Sequence, residues 1–319
     1  MAGASSPSLV THGLTRRFGR FVAVDHLDLT VEGTKVVGFL GPNGAGKTTA
    51  LKMLTDLIFP TAGEAFLNGV SVQRDRKRAL AGVGTLIETP EIYPSLTPRE
   101  ALEMAGRLRG LEADYVRERT RVVLEEVKMS EWIDRKTGRF SKGMKQRIHI
   151  AAALLSDPNI LLLDEPSTGL DPRGMAEVRE IVRGLKRSGR LVFMSSHILS
   201  EVVDVCDEVA LIDRGKLLFY DTLANVSARL AGGATEVTAV FLKPLSDDEL
   251  LSHLTGVPDL VSWSRAGPDR VTLRIQGGTE AQSRILETLV ARRTGLWSFR
   301  ESRSALEEVY LREITQGEQ

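Results

Sequence analysis

Residues 35–49 read KVVGFL GPNGAGKTT, a short apolar run that opens into closely spaced glycines, a lysine and two threonines. GPNGAGKTT (41–49) fits the pattern G-x-x-x-x-G-K-[ST]. It stands between a predicted strand (35–40) and a predicted helix (GKTTALKMLTDL), the context in which that pattern binds phosphate. Gly41, Gly44 and Gly46 let the backbone curl so that successive N–H groups face one phosphate, with Pro42, Asn43 and Ala45 filling the turn between them. The helix N-terminus adds its partial positive charge. Lys47 can reach the β- and γ-phosphates, the Thr48 hydroxyl can ligate Mg²⁺, and Thr49 completes the nucleotide-binding set. The stretch predicts a nucleotide site at the carboxyl end of a buried strand.

Outward from this loop the same grammar repeats. AGVGTLI (81–87), NILLL (159–163) and RLVFM (190–194) are short, continuously apolar runs, each followed by a polar turn and then a helical pattern. Such runs alternating with helices predict an α/β fold with a mainly parallel sheet covered by helices. Residues 98–157 turn helical and charge-rich, an inserted helical subdomain. DEVALIDRGKLLFYD (207–221) predicts two strands joined by an Arg-Gly turn. The expected organisation is an N-terminal tail (1–7), a nucleotide-binding domain (8–226), a linker (227–236) and a C-terminal α+β accessory module (237–319). Within that module the pattern predicts strand 237–242, helix 246–254, strands near 259–264 and 270–275, helix 279–292, strand 296–300 and helix 304–314. That order suggests a small ferredoxin-like unit.

Two acids end the run ILLLDEP (160–166). Asp164 is placed to hold Mg²⁺, and Glu165 to polarise an attacking water as general base. RLVFMSSH (190–197) carries His197 to the end of another strand, and GTLIETPEIYP (84–94) carries Glu88. Ligands of an open parallel sheet bind outside the carboxyl ends of its strands. If these four strands are neighbours, the phosphate loop, both acids, His197 and Glu88 converge on one edge. FSKGMKQRIHIAAALLSDP (140–158) precedes the acids; Ser141 and Gly143 open a helix with an apolar stripe of Ile148, Ala151, Ala152 and Leu155. A Ser-x-Gly helix opening is a second anion-binding terminus in a chain that already has one, which points to the nucleotide of another copy.

Taken together, GPNGAGKTT, FSKGMKQR, ILLLDEP, STGLDP (167–172) and SSH (195–197) resemble, in order and spacing, the motifs of an ATP-binding-cassette (ABC) transporter ATPase, a P-loop NTPase core with a helical subdomain. The resemblance covers roughly residues 8–225. It implies a homodimer, or a paired ATPase subunit, in which two ATP molecules lie between one chain's phosphate loop and the other's Ser141 and Gly143. On the same resemblance Asp171 lies at the dimer contact and His197 touches the γ-phosphate. Phe18 stands about where the family places an adenine-stacking aromatic, although Phe21 is close by and either could belong to the core. Two departures matter. Phe140 and Lys142 replace the usual Leu and first Gly of the signature, and Glu88 stands where most members carry a glutamine that senses Mg²⁺ and moves against the membrane subunit. The Glu form resembles antibiotic and lantibiotic-peptide exporters of the bacitracin type.

Physics narrows the role of Glu88. A carboxylate ~4 Å from a phosphate oxygen is repelled by roughly 4 kcal/mol at an effective dielectric of 20, a cost that an intervening Mg²⁺ removes. Glu88 is therefore expected to join Thr48 and Asp164 at the metal.

Composition bounds the partners. Forty-two Lys and Arg offset 42 Asp and Glu in 319 residues, which gives no electrostatic footprint for nucleic acid. A soluble cassette ATPase working on nucleic acid or ribosomes is the competing reading, but such proteins usually fuse two cassettes or insert a long coiled coil. A GTPase or kinase sharing only the phosphate loop lacks an Asn-Lys-x-Asp reader here and leaves FSKGMKQR unexplained. No secretory signal and no run of ~18 apolar residues is present, so a cytoplasmic chain is expected, held to the inner face of the membrane by an integral permease subunit. Cys206, the single cysteine, is expected to pack in a helix.

Overall fold

The computed structural model describes residues 6–88, 91–226, 234–301 and 310. The chain divides into two compact units, Met1–Asp221 and Thr222–Gln319.

The apolar run before the phosphate loop forms β3 (Val36–Leu40), buried along its whole length. With it pair β6 (Val83–Leu86), β7 (Ile160–Leu163), β8 (Leu191–Ser196), β9 (Glu208–Asp213) and β10 (Lys216–Thr222), in the order β10-β9-β3-β8-β7-β6. The pairs β9–β3, β3–β8, β8–β7 and β7–β6 are parallel. In register, Leu40 lies opposite Ser196 and Leu211, and Leu163 opposite Met194 and Leu86. These five parallel strands therefore end at one edge. Ile160–Leu163 are buried throughout because both faces of a central parallel strand are covered. The Arg-Gly turn between β9 and β10 has both residues at positive φ, Arg214 at 47° and Gly215 at 81°, as a tight two-residue hairpin requires.

The charge-rich stretch is helical. It contains α3 (Pro98–Leu108), α4 (Ala113–Glu126) and α5 (Lys142–Leu154), following α1 (Lys47–Leu54) and the short α2 (Arg76–Ala79). A capping box of Thr97 and Glu100 starts α3, satisfying two backbone donors reciprocally. At Gly106 the helices α3 and α4 touch so closely that a Cβ would stand 2.5 Å from Val116. Beyond β7 come α6 (Pro172–Arg187) and α7 (Leu199–Val205).

A second sheet escapes the sequence reading. β1 (Ser8–Phe18), β2 (Phe21–Glu32), β4 (Ala62–Leu67) and β5 (Val70–Ser71) form an antiparallel sheet in the order β2-β1-β4-β5. Irregular pairing in β1 and its buried Thr11 and Thr15 blur the two-residue alternation that would reveal it.

In the second unit, β11 (Ala234–Phe241), α8 (Asp247–Leu254), β12 (Leu260–Gly267), β13 (Arg270–Gln276), α9 (Gly278–Ala291) and β14 (Leu296–Glu301) follow in sequence. The strands pair antiparallel in the order β12-β13-β11-β14. Val237, Ala239 and Phe241, with Val271, Leu273 and Ile275, meet Leu250, Leu254, Ala281, Ile285 and Leu289 of the helices in one core. β11 begins at Ala234, so the expected linker loses its last residues to a strand. Linker residues 227–233 lie outside the described residues. So does the expected helix 304–314, apart from Tyr310.

Candidate functional site

The phosphate loop connects β3 to α1, and its glycines are imposed by neighbouring backbone. A Cβ on Gly41 would stand 2.2 Å from the Ile212 carbonyl oxygen. One on Gly46 would meet the Ala23 carbonyl oxygen at 2.3 Å, and Gly46 caps α1 at a φ of 106° that side-chain-bearing residues rarely adopt. The loop is thus wedged between β2 and β9, with Pro42, Asn43, Gly44 and Ala45 forming its turn. Thr49 follows in the first turn of α1.

Lys47 is only 5% exposed, and its Nζ donates to the carbonyls of Gly41 (2.7 Å) and Pro42 (3.0 Å). The Glu165 Oε1 lies 3.5 Å away. Burial pulls the Lys47 pKa below the ordinary lysine value, and the Glu165 charge partly offsets this. One residue on, the Thr48 hydroxyl donates to Asp164 Oδ2 at 2.8 Å. Two hard oxygens from α1 and from the end of β7 therefore stand side by side, a donor set that suits Mg²⁺.

Glu165, two residues beyond the end of β7, sits at a φ of 43°. Its Oε2 lies 3.1 Å from His197 Nδ1 and accepts the Thr168 hydroxyl at 2.8 Å. Burial would raise its pKa, but the Thr168 hydroxyl, His197 and Lys47 together hold it below the ordinary carboxylate value. Lys47 and His197 are also the groups a γ-phosphate would attract.

Ser195, quoted in sequence only as part of SSH and given no role there, organises both acids. Its hydroxyl donates to Asp164 Oδ1 (2.5 Å) and accepts from the Glu165 backbone N–H (2.9 Å). Gln146 of α5 likewise reaches across to the Pro166 carbonyl at 2.8 Å, tying the signature helix to the loop after the acids. Only the parallel pairing of β7 with β8 shows the first link, and only the packing of α5 the second.

Glu88 also follows the carboxyl end of its strand, β6, at a φ of 60°. Its carboxylate, 73% exposed, pairs with Lys52 Nζ at 2.5 Å rather than with Thr48 or Asp164. Thr48 and Lys52 are one turn apart on the same face of α1, so the pair stands beside the metal donors. A free lysine on a helix opposite a loop acid carries no local signature, which is why the pair is invisible in sequence.

Ser141 caps α5, its hydroxyl accepting from the Met144 N–H at 3.2 Å, and Gly143 is buried against Gly174. Among the described residues neither is hydrogen-bonded to the phosphate loop of its own chain. Asp171 caps α6 by accepting from the Gly174 N–H at 3.0 Å. Phe18 and Phe21 pair across the tip of the β1–β2 hairpin and are 48% and 63% exposed, so neither belongs to the core. The Arg16 guanidinium lies 4.5 Å from the Phe18 ring centroid. Cys206 is buried but ends α7 on extended backbone instead of lying within the helix.

Comparison with known proteins agrees with this geometry. The family model described as ABC transporter matches residues 24–168. The bacitracin transport ATP-binding protein BcrA of Bacillus licheniformis is 41% identical over 67% of this chain and 69% of its own length. The daunorubicin resistance ATP-binding protein DrrA3 of Streptomyces coeruleorubidus is 35% identical over 78% of this chain and 79% of its own. A solved ATP-binding subunit of an ABC transporter superposes with a TM-score of 0.61 at 27% identity, over 70% of this chain and 92% of that one. A phosphate loop, paired acids and a histidine on one sheet edge, with relatives of this kind, place the chain in the ABC transporter family as an ATP-hydrolysing, ATP-binding subunit.

Proposed function

We propose that this chain powers export of a drug, an antibiotic or a lantibiotic-like peptide through separate membrane subunits. The observation that carries the ATPase half is the contact set of Glu165, which joins Lys47, His197 and Thr168 in one cluster. The export half rests on relatives whose names state bacitracin transport and daunorubicin resistance.

In the proposed reaction, Gly41–Thr49 cradle the α- and β-phosphates through backbone N–H groups, and Lys47 turns from its carbonyl partners toward the β- and γ-phosphates. Phe18 offers its exposed ring to the adenine. Glu165 orients and deprotonates the attacking water, and His197 donates to the γ-phosphate once Glu165 releases it. Thr48 and Asp164 would hold Mg²⁺, which neutralises charge developing on the phosphates. Glu88 remains a candidate third ligand, provided that it leaves Lys52. Ser141 and Gly143 complete the site of a second copy in a homodimer or paired subunit, with Asp171 at the contact.

Among the described residues no helix is long and apolar enough to cross a membrane. That fits a cytoplasmic subunit held at the inner face of the membrane by its permease. The chain is read as an ATP-binding domain over about residues 8–226 followed by a C-terminal accessory module that includes β11 from Ala234. The ferredoxin-like reading of the C-terminal module is supported by its βαββαβ order and by edge strands β12 and β14.

Affinity purification of the tagged chain from its native membranes tests the reading. An integral membrane protein recovered with it, whose addition stimulates Mg²⁺-dependent ATP hydrolysis, is the expected result. Recovery with ribosomes or DNA and no membrane protein would overturn it.

A further inference from the structure

The hydrolytic cluster leaves one buried carboxylate without a task. Glu201, in the first turn of α7, is 3% exposed, and its Oε1 has no hydrogen-bond partner among the described residues. Burying an acid in this way is costly unless its contacts return something specific. Its other oxygen, Oε2, accepts the Ser196 hydroxyl at 2.6 Å. The same Ser196 oxygen accepts the Ile198 backbone N–H at 3.0 Å. A single hydroxyl therefore ties the residue before His197 to the residue after it, and Glu201 fixes that hydroxyl's rotation.

The tie reaches further in both directions. The Ser196 carbonyl accepts the Gly41 N–H at 3.3 Å, linking the histidine turn to the first residue of the phosphate loop. On the other side, α7 is seated directly on β3. A Cβ at Gly38 would stand 2.8 Å from Val202 and 3.0 Å from Cys206. Glu201 thus has a rigid base on the strand that leads into the phosphate loop.

We propose that Glu201 is a positioning residue for the hydrolytic step. It holds the Ser196–His197–Ile198 turn so that the imidazole stays aligned with Glu165 and with the γ-phosphate. The proposal rests on the assignment of His197 given above. Displacing a reacting group by about 1 Å can cost roughly 100-fold in rate, while ground-state binding of ATP by the phosphate loop is left alone.

The test is steady-state ATP hydrolysis by the full chain with Mg²⁺ in five forms: wild type, Glu201→Ala, Glu201→Gln, His197→Ala and the Glu201→Ala/His197→Ala double variant. Glu201→Ala is expected to lower kcat by about 10- to 100-fold with KM for ATP within about threefold. Glu201→Gln, which keeps an acceptor for the Ser196 hydroxyl, is expected to restore kcat to within about threefold of wild type. In the His197→Ala background, Glu201→Ala is expected to change turnover less than about twofold, because the residue acts through the histidine. Should Glu201→Ala fail to fold, Ser196→Ala breaks the same contact from the other side and is expected to show the same kcat loss.

Equal losses in the wild-type and His197→Ala backgrounds would overturn the proposal. So would a rise in KM at unchanged kcat, or wild-type turnover by Ser196→Ala. Full turnover by His197→Ala alone would instead remove the His197 assignment beneath it.

Discussion

Replacing Glu165 by glutamine probes the centre of the site with a change of one atom. The Glu165 carboxylate is 3.5 Å from Lys47 Nζ and 3.1 Å from His197 Nδ1. At 3.5 Å and an effective dielectric of 20, the attraction to Lys47 is about 5 kcal/mol before solvation is counted. Lys47 keeps two carbonyl acceptors in the variant, and part of the lost attraction returns as reduced desolvation. The net cost is expected at the lower end for a charged hydrogen bond, about 1.5 kcal/mol. That corresponds to a fall in Tm of roughly 3–6 °C without nucleotide.

Saturating ATP should close the gap, because phosphate oxygens then take over Lys47 and His197. Turnover should fall by about 10²- to 10⁴-fold, the usual worth of a general base, while ATP affinity holds or improves because a competing carboxylate is gone. Differential scanning calorimetry with and without ATP and single-turnover hydrolysis read these quantities. Turnover within tenfold of wild type would refute the general-base assignment. A Tm gap that ATP leaves untouched would refute the exchange of Lys47 and His197 between carboxylate and phosphate.

The same pair fixes a pH dependence. Since the fold lowers the Glu165 pKa, its contribution to stability is complete above the unfolded carboxyl range and is lost as pH falls through the lowered value. The Tm difference between wild type and Glu165→Gln should therefore be present at neutral pH and vanish in acid.

Gly46→Ala should lose about 1–3 kcal/mol from its positive φ alone, and abolish ATP binding because the Ala23 carbonyl blocks the added methyl; melting and nucleotide titration check both. Glu88→Gln removes an exposed pair with Lys52, so stability should change by less than about 1 kcal/mol. ATP binding by Glu88→Gln should depend less on Mg²⁺ than in wild type, and an identical dependence on titration with and without Mg²⁺ would contradict a metal role. Burial pushes the Cys206 thiol pKa up, so iodoacetamide should leave the native chain unlabelled and modify it only on unfolding, as mass spectrometry would show.

The sequence by itself determined the chemistry that is local along the chain. Phosphate binding at 41–49 follows from glycine spacing and a strand-to-helix context that occupy one continuous segment. The buried strands at 36–40, 160–163 and 191–196 were legible for the same reason, since continuous apolar runs need no partner to be recognised. What the tertiary structure alone decided depends on neighbours distant in sequence. The order β3-β8-β7-β6 sets the phosphate loop, His197, the two acids and Glu88 along one edge. Ser195 became visible as the hydroxyl that bridges Asp164 and Glu165 once β8 lay beside β7. The pairing of Glu88 with Lys52, 36 residues away, is a long-range contact that no local pattern announces, and the antiparallel sheet of β1, β2, β4 and β5 came from cross-strand packing that its own pattern hides. A motif carries its meaning in adjacent residues, whereas a charge pair or a shared hydroxyl exists only where the fold brings two separate segments within hydrogen-bonding distance.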